Sequence, residues 1–110
     1  MVLIFYERNN KMEIGDILVS RYGYGVSLVN FYKIVKKTEK MVTLQEMKSK
    51  FTEHDGYGQQ GLVIPTNEKE DRTIFSRRIL YSYDEPYVKI NEYERARVWD
   101  NQPVWYDSCD

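Results

Sequence analysis

What most constrains this chain is its punctuation. Runs of five to nine residues rich in Val, Ile, Phe and Tyr recur along its length, each cut off by Gly, Pro, Asn or charged clusters. That is the pattern of strands and turns. Gly15-Asp16 opens Ile17–Ser20, Gly23 and Gly25 interrupt, and Leu28 to Val35 follows. In that run Val29, Phe31, Lys33 and Val35 share one face, while Asn30, Tyr32, Ile34 and Lys36 share the other. Large side chains on both faces predict a central strand covered on both sides.

Lys37-Thr38-Glu39-Lys40 reads as a turn, so Val29–Lys36 and Met41–Lys48 are expected to pair as a hairpin with a loop of three to five residues. Leu62-Val63-Ile64 reads as a short strand that Pro65 confines to an edge or an exit. Arg72 to Tyr81 and Tyr87 to Ile90 read as further strands, separated by an Asp84-Glu85-Pro86 turn. Asn91-Glu92-Tyr93-Glu94 has the form of a capping box, which would start a short helix through Trp99. The same stretch also alternates as a strand through Val88, Ile90, Ala96 and Val98. Asp100 to Pro103 then turns the chain into Val104-Trp105-Tyr106.

The expected fold is mainly β: a small SH3-like partial barrel of five to seven strands, with room for one short helix over 91–99. The 110 residues suffice for one modest core and exclude a full dinucleotide-binding domain or an α/β barrel. Residues 12–106 form the expected single domain, 1–11 an N-terminal extension and 107–110 a frayed tail. The lone cysteine, Cys109, permits no intrachain disulfide and suits a reducing compartment. No stretch approaches the roughly 18–20 apolar residues of a membrane span, so the expected location is the cytoplasm. Leu62–Ile64, or Val2 to Tyr6, would offer an edge for homodimerisation by strand addition.

Charge excludes one class outright. Sixteen basic against seventeen acidic residues cannot mimic DNA, which needs a far more acidic surface. The charges are uneven, with nine basic and five acidic residues in 1–50 but seven and twelve in 51–110. The hairpin carries Lys33, Lys36, Lys37, Lys40 and Lys48 beside Tyr32. Lysines that neutralise phosphate, with rings that stack on bases, would suit RNA or single-stranded DNA. Lysine also protects exposed sheet edges from pairing.

Asp55-Gly56-Tyr57-Gly58-Gln59-Gln60-Gly61 contains G-x-G-x-x-G, but a proline-ended strand follows where a nucleotide fold needs a helix. A flexible loop between two strands is the better reading, with Tyr57 projecting from it. His54, the only histidine, has no second His or paired Cys to complete a zinc site and no identifiable nucleophile. No catalytic residue, metal or cofactor is assigned. Arg77-Arg78 places one guanidinium on each face of its strand, so one of them must pair with an acid or reach solvent. Of the two tryptophans, Trp99 is expected to close the core against the hairpin. Trp105 is expected to be an exposed anchor, joined by Tyr22, Tyr24 and Tyr57 as partner-binding residues.

Several segments in order resemble a family of small proteins encoded by bacteriophages and other mobile elements. They are Gly15-Asp16-Ile17-Leu18-Val19-Ser20 with Gly23-Tyr24, Val29-Asn30-Phe31-Tyr32-Lys33-Ile34-Val35, and Thr38-Glu39-Lys40 with Val42-Thr43-Leu44. Val63-Ile64-Pro65, Ala96-Arg97, Trp99-Asp100 and Pro103-Val104 complete them, over residues 12–106. The chain departs from the pattern at Tyr22, where the family often has Trp, and at Gly25–Leu28, where it has a polar segment. The resemblance implies a phage-related accessory role without an agreed activity, and interference with host defence or transcription rests on the family's carriers alone. The leading expectation is a non-enzymatic protein that docks its tyrosine- and tryptophan-bearing face stoichiometrically onto a host or phage protein. A nucleic-acid-binding barrel using the lysine hairpin is the alternative, and a small enzyme the third reading.

Overall fold

A computed structural model describes residues 11–54, 56–70 and 74–108. They form nine strands: β1 (Ile17–Tyr22), β2 (Leu28–Lys37), β3 (Met41–His54), β4 (Gln60–Lys69), β5 (Phe75–Arg78), β6 (Leu80–Ser82), β7 (Glu85–Lys89), β8 (Arg95–Val98) and β9 (Val104–Asp107). All pairings are antiparallel, in the order β6-β7-β8-β1-β2-β3-β4-β9, with β5 added to β3. The result is a curled, open half-barrel, and no helix occurs among the described residues.

The expected hairpin is present. Thr38–Lys40 link β2 to β3, closed by a Thr38 N–H donated to Met41 O at 2.9 Å and a Met41 N–H donated to Thr38 Oγ1 at 3.1 Å. β3 then changes partner along one edge. It pairs with β5 over Met41–Leu44 and with β4 over Met47–His54, with a register shift between Met47 and Ser49. At this changeover the buried Gln45 donates its Nε2 to the carbonyls of Glu46 and Glu70 at 3.1 and 3.3 Å. The two ends of the sheet can therefore roll to opposite sides.

Alternation along β2 sorts its side chains into two cores, as its two large faces require. Tyr32 and Ile34 join Leu18, Val42, Leu44, Val88 and Ala96 on one face. Over that face the curl brings β5 close to β7, where Arg77 donates Nε and Nη2 to Ile90 O at 3.2 and 3.1 Å. Val29 and Phe31 join Met47 and Val63 on the other face, under Trp99, Val104 and Tyr106. There β9 closes the layer by bridging Asp107 to Ser27. Burial of each large side chain is worth roughly 1.5–3 kcal/mol, so β2 anchors both layers.

The structure corrects several expectations. The sheet has nine strands among the described residues where five to seven were expected. One reason is that the Arg72–Tyr81 run splits at the buried Ile79, whose N–H donates to Lys40 O, into β5 and β6. The short helix over 91–99 is absent. Asn91 Oδ1 accepts from the Tyr93 amide, the amides of Ile90 and Asn91 donate to Glu94 O, and the chain turns directly from β7 into β8.

The turn before β7 falls at Tyr83-Asp84, both at positive φ (50° and 68°), while Pro86 lies within the strand. β4 runs through Pro65, because β9 pairs only with Gln60–Val63 and leaves the proline on an open edge. Of the expected Leu62–Ile64 edge, Leu62 and Val63 thus have neighbours on both sides, while Ile64 pairs with Lys50 alone and keeps one side open. Of the expected 107–110 tail, residues 109 and 110 lie outside the described residues; Asp107 exchanges backbone bonds with Ser27, and Ser108 N–H donates to Gln59 O at 2.8 Å, so these two are held to the sheet. Residues 1–10, including the proposed Val2–Tyr6 edge, lie outside the described residues. No described helix is long and apolar enough to cross a membrane.

Candidate functional site

The four aromatic candidates separate into two pairs. Tyr24, in the β1–β2 loop, and Tyr57, between Gly56 and Gly58 in the β3–β4 loop, are both exposed. Gly56–Gln59 form a strand-to-strand loop, as their context predicts, and Gln60-Gly61 open β4. Gly61 is required there for a second reason: a Cβ would lie 1.9 Å from Glu53 O. Tyr22 is half-buried, its hydroxyl accepting from Asn30 Nδ2 at 3.1 Å. Trp105 on β9 is 47% exposed. These last two meet at one recess of about 280 Å³, which Arg21 also borders.

The lysine set does not form a patch. Lys33 stands between Ile17 and Gln45 on the Phe31 face, whereas Lys48 follows Met47 and turns to the opposite face. Lys36, Lys40 and Lys48 are exposed, but Lys37 donates to Met12 O and lies 4.0 Å from Glu13. Tyr32, expected to stack on a base, is 2% exposed and cannot do so. Its position on β2 points it into the core, because Asn30 and Ile34 share its face.

His54 is exposed, accepts the Gly56 amide at Nδ1 (2.9 Å) and meets the Phe51 ring edge-on. Arg77 stacks 4.7 Å over Phe75 and Arg78 is exposed, in line with their alternation. Trp99 closes the second core as expected: it meets Phe31 edge-to-face at 5.8 Å and donates Nε1 to Gln102 O at 2.7 Å.

Around Trp99 and Trp105 lies an open groove of about 600 Å³. Its position follows from the curl. β9 packs over the second face against β2 and β4, and Trp99, Val104 and Tyr106 lie there with Val19 and Phe31, so the groove opens between this cover and the strands β1 and β8. Val19 and Trp99 are among its lining, with Trp105 and Pro103 beside them and Arg21, Arg95 and Arg97 along the strands. Glu92 and Asp100 also border it. Trp105 additionally lines a recess of about 250 Å³ beside Glu53 and His54, so one exposed indole is common to three depressions. Sequence reasoning found Trp105 but not the arginines. Their signal was the Arg95-x-Arg97 alternation, which puts both on one face once 95–98 is a strand.

A second feature escaped the sequence. Glu94 is 4% exposed, and its Oε2 accepts from Ser20 Oγ, from Tyr32 OH at 2.5 Å and from Asn30 Nδ2 at 3.2 Å. Three donors compensate a carboxylate that would otherwise be costly to bury. Burial, reinforced by the hydrogen bond and the charge of Glu94, holds the Tyr32 phenol well above the usual tyrosine range. The trio of Ser, Tyr and Glu superficially suggests acid–base chemistry, but Ser20 (1% exposed) and Tyr32 spend their hydroxyls inside the core. The cluster ties β1, β2 and the β7–β8 turn together.

The described residues thus form an all-β half-barrel with a surface groove lined by tryptophan and arginine. Compared with protein-family models, with curated proteins and with solved structures, the chain matches none.

Proposed function

We propose that the chain is a non-enzymatic interaction protein that docks a partner protein, stoichiometrically, onto the Trp105 side of the half-barrel. The supporting observation is the position of Trp105: a half-exposed indole where three depressions converge, beside half-buried Tyr22 and three arginines. Trp, Tyr and Arg are the residues most often found to dominate interface energetics, and they do so in depressions that exclude water. The hydroxyls of Ser20 and Tyr32 are turned inward onto Glu94, which favours binding over catalysis at that cluster.

With this reading goes a partial barrel in the SH3-like manner, its open side serving as the docking face; the continuous bend of β3 across two partners supports it. The resemblance of residues 12–106 to phage and mobile-element proteins supports a role in the host cytoplasm, against host defence or transcription. The lysine-hairpin alternative is weakened by the burial of Tyr32 and the dispersal of the lysines over two faces.

The test is capture of partners from nuclease-treated host lysate by the tagged chain, by Trp105→Ala and by a Lys36→Glu/Lys40→Glu variant. A stoichiometric partner lost only with Trp105→Ala is expected. Recovery that disappears with nuclease, or with the lysine variant and not with Trp105→Ala, would refute the docking reading.

A further inference from the structure

The strand register assembles a row of cations that no single segment of sequence contains. β1 pairs with β8 so that Val19 faces Arg97 and Ser20 faces Ala96, which brings Arg21 opposite Arg95 at the next position. β7 pairs with β8 so that Lys89 faces Arg95 and Tyr87 faces Arg97. The intervening Leu18, Val88 and Ala96 all point into the Tyr32 core, so Arg21, Lys89, Arg95 and Arg97 share the opposite face. Neighbouring strands lie ~4.8 Å apart, so Arg21, Arg95 and Lys89 span only ~10 Å.

Like charges directly opposite one another destabilise a sheet. Here three stand in line, all exposed, and among the described residues none of the three has an ion-pair partner. Arg97 alone has one, the exposed Glu85 at 3.5 Å. The Arg95 guanidinium lies 5.5 Å over the Tyr87 ring, which restrains it. The cost of such a row is offset when an anion binds across it, and the three arginines line the groove that Trp105 borders.

We propose that this row recognises an extended acidic segment of a partner protein. Alternate carboxylates of the segment would meet Arg21, Arg95 and Arg97 in charge-assisted, fork-like pairs, and the side chains between them would pack against Trp99 or Trp105. The inference rests on the docking function above and specifies the chemistry of its partner. A protein segment fits better than a nucleic-acid strand because its charge varies from residue to residue, whereas every phosphate of a strand is anionic. Glu92 and Asp100 border the same groove, where they would repel a continuous run of phosphates but can accept the amides or a lysine of a peptide.

Fluorescence anisotropy with three labelled probes tests this: a peptide alternating aspartate with tyrosine, its asparagine counterpart, and oligothymidylate. The aspartate peptide is expected to bind best, and to weaken as salt rises from about 50 to 300 mM, where screening shortens from roughly 14 to 6 Å. Arg21→Glu/Arg95→Glu, and the milder Arg21→Gln/Arg95→Gln, should weaken it at least about tenfold. Lys36→Glu/Lys40→Glu should leave it unchanged. Unaltered circular dichroism would confirm that the arginine variants fold. Tighter binding of oligothymidylate, equal binding of the asparagine peptide, or indifference to both arginine variants overturns the proposal. Should no peptide bind while Trp105-dependent capture of a partner persists, the acidic specificity is refuted and the docking function stands.

Discussion

Glu94 offers the sharpest test of how the fold is held together. Replacing it by alanine removes the acceptor shared by Ser20 Oγ, Tyr32 OH and Asn30 Nδ2. Hydrogen bonds to a charged group contribute about 1.5–3 kcal/mol each, and a buried donor left unmatched costs about 1–3 kcal/mol. Ser20 and Tyr32 are buried, whereas Asn30 is half-buried and can turn to water. Two full losses and one partial loss, less than additive because they share an atom, amount to about 3–5 kcal/mol.

A chain of 110 residues has ~5–15 kcal/mol of stability in total, so Glu94→Ala should approach unfolding at ambient temperature. The assay is urea denaturation at pH 7 followed by tryptophan fluorescence, with Trp99 reporting the core from its place on Phe31. Tyr32→Phe, which deletes one hydroxyl and keeps the ring, should lose about 1.5–3 kcal/mol. The double variant should show coupling of at least ~1 kcal/mol. A Glu94→Ala variant within about 0.5 kcal/mol of the parent would refute the view that this carboxylate organises the sheet.

The Tyr32 phenol is held above its unfolded value of about 10. Its stabilising contribution is therefore complete below pH ~10 and falls above it by up to ~1.4 kcal/mol per pH unit, as the unfolded state releases a proton that the folded state keeps. Alkaline denaturation should show that extra slope in the parent and not in Tyr32→Phe. Trp99→Ala should cost about 3–5 kcal/mol in the same denaturation assay, through the lost ring and its bond to Gln102 O. Trp105→Ala should cost less than ~1 kcal/mol while abolishing partner capture, since surface changes barely alter stability. Gly61→Ala, whose Cβ would overlap Glu53 O, should lose about 2–3 kcal/mol by urea denaturation. Gly58→Ala, in open space at φ 73°, should lose only about 1 kcal/mol.

The β2–β3 hairpin, the two-sided burial of β2, the core place of Trp99 and the exposure of Trp105 were all legible in the sequence. Each rests on period-two alternation or on turn residues, which act within a few positions of chain. The segment 91–94 was misleading for a physical reason. A capping box and a tight β-turn draw on the same polar residues, and the choice fell to Glu94, whose side chain found Ser20 and Tyr32 from distant strands. Tyr32 likewise lies within a lysine-rich hairpin in sequence but inside a core in space.

Local alternation and turn chemistry thus determined which residues form strands and which face each side chain takes, because those properties depend on neighbours along the chain. Which strands distant in sequence lie side by side was decided by long-range register alone. That register placed Arg21 beside Arg95 and Lys89, gathered three donors around Glu94, and set Trp105 where three depressions meet. Pairing of strands far apart in sequence minimises the energy of the whole sheet, and no segment of the chain carries that information by itself.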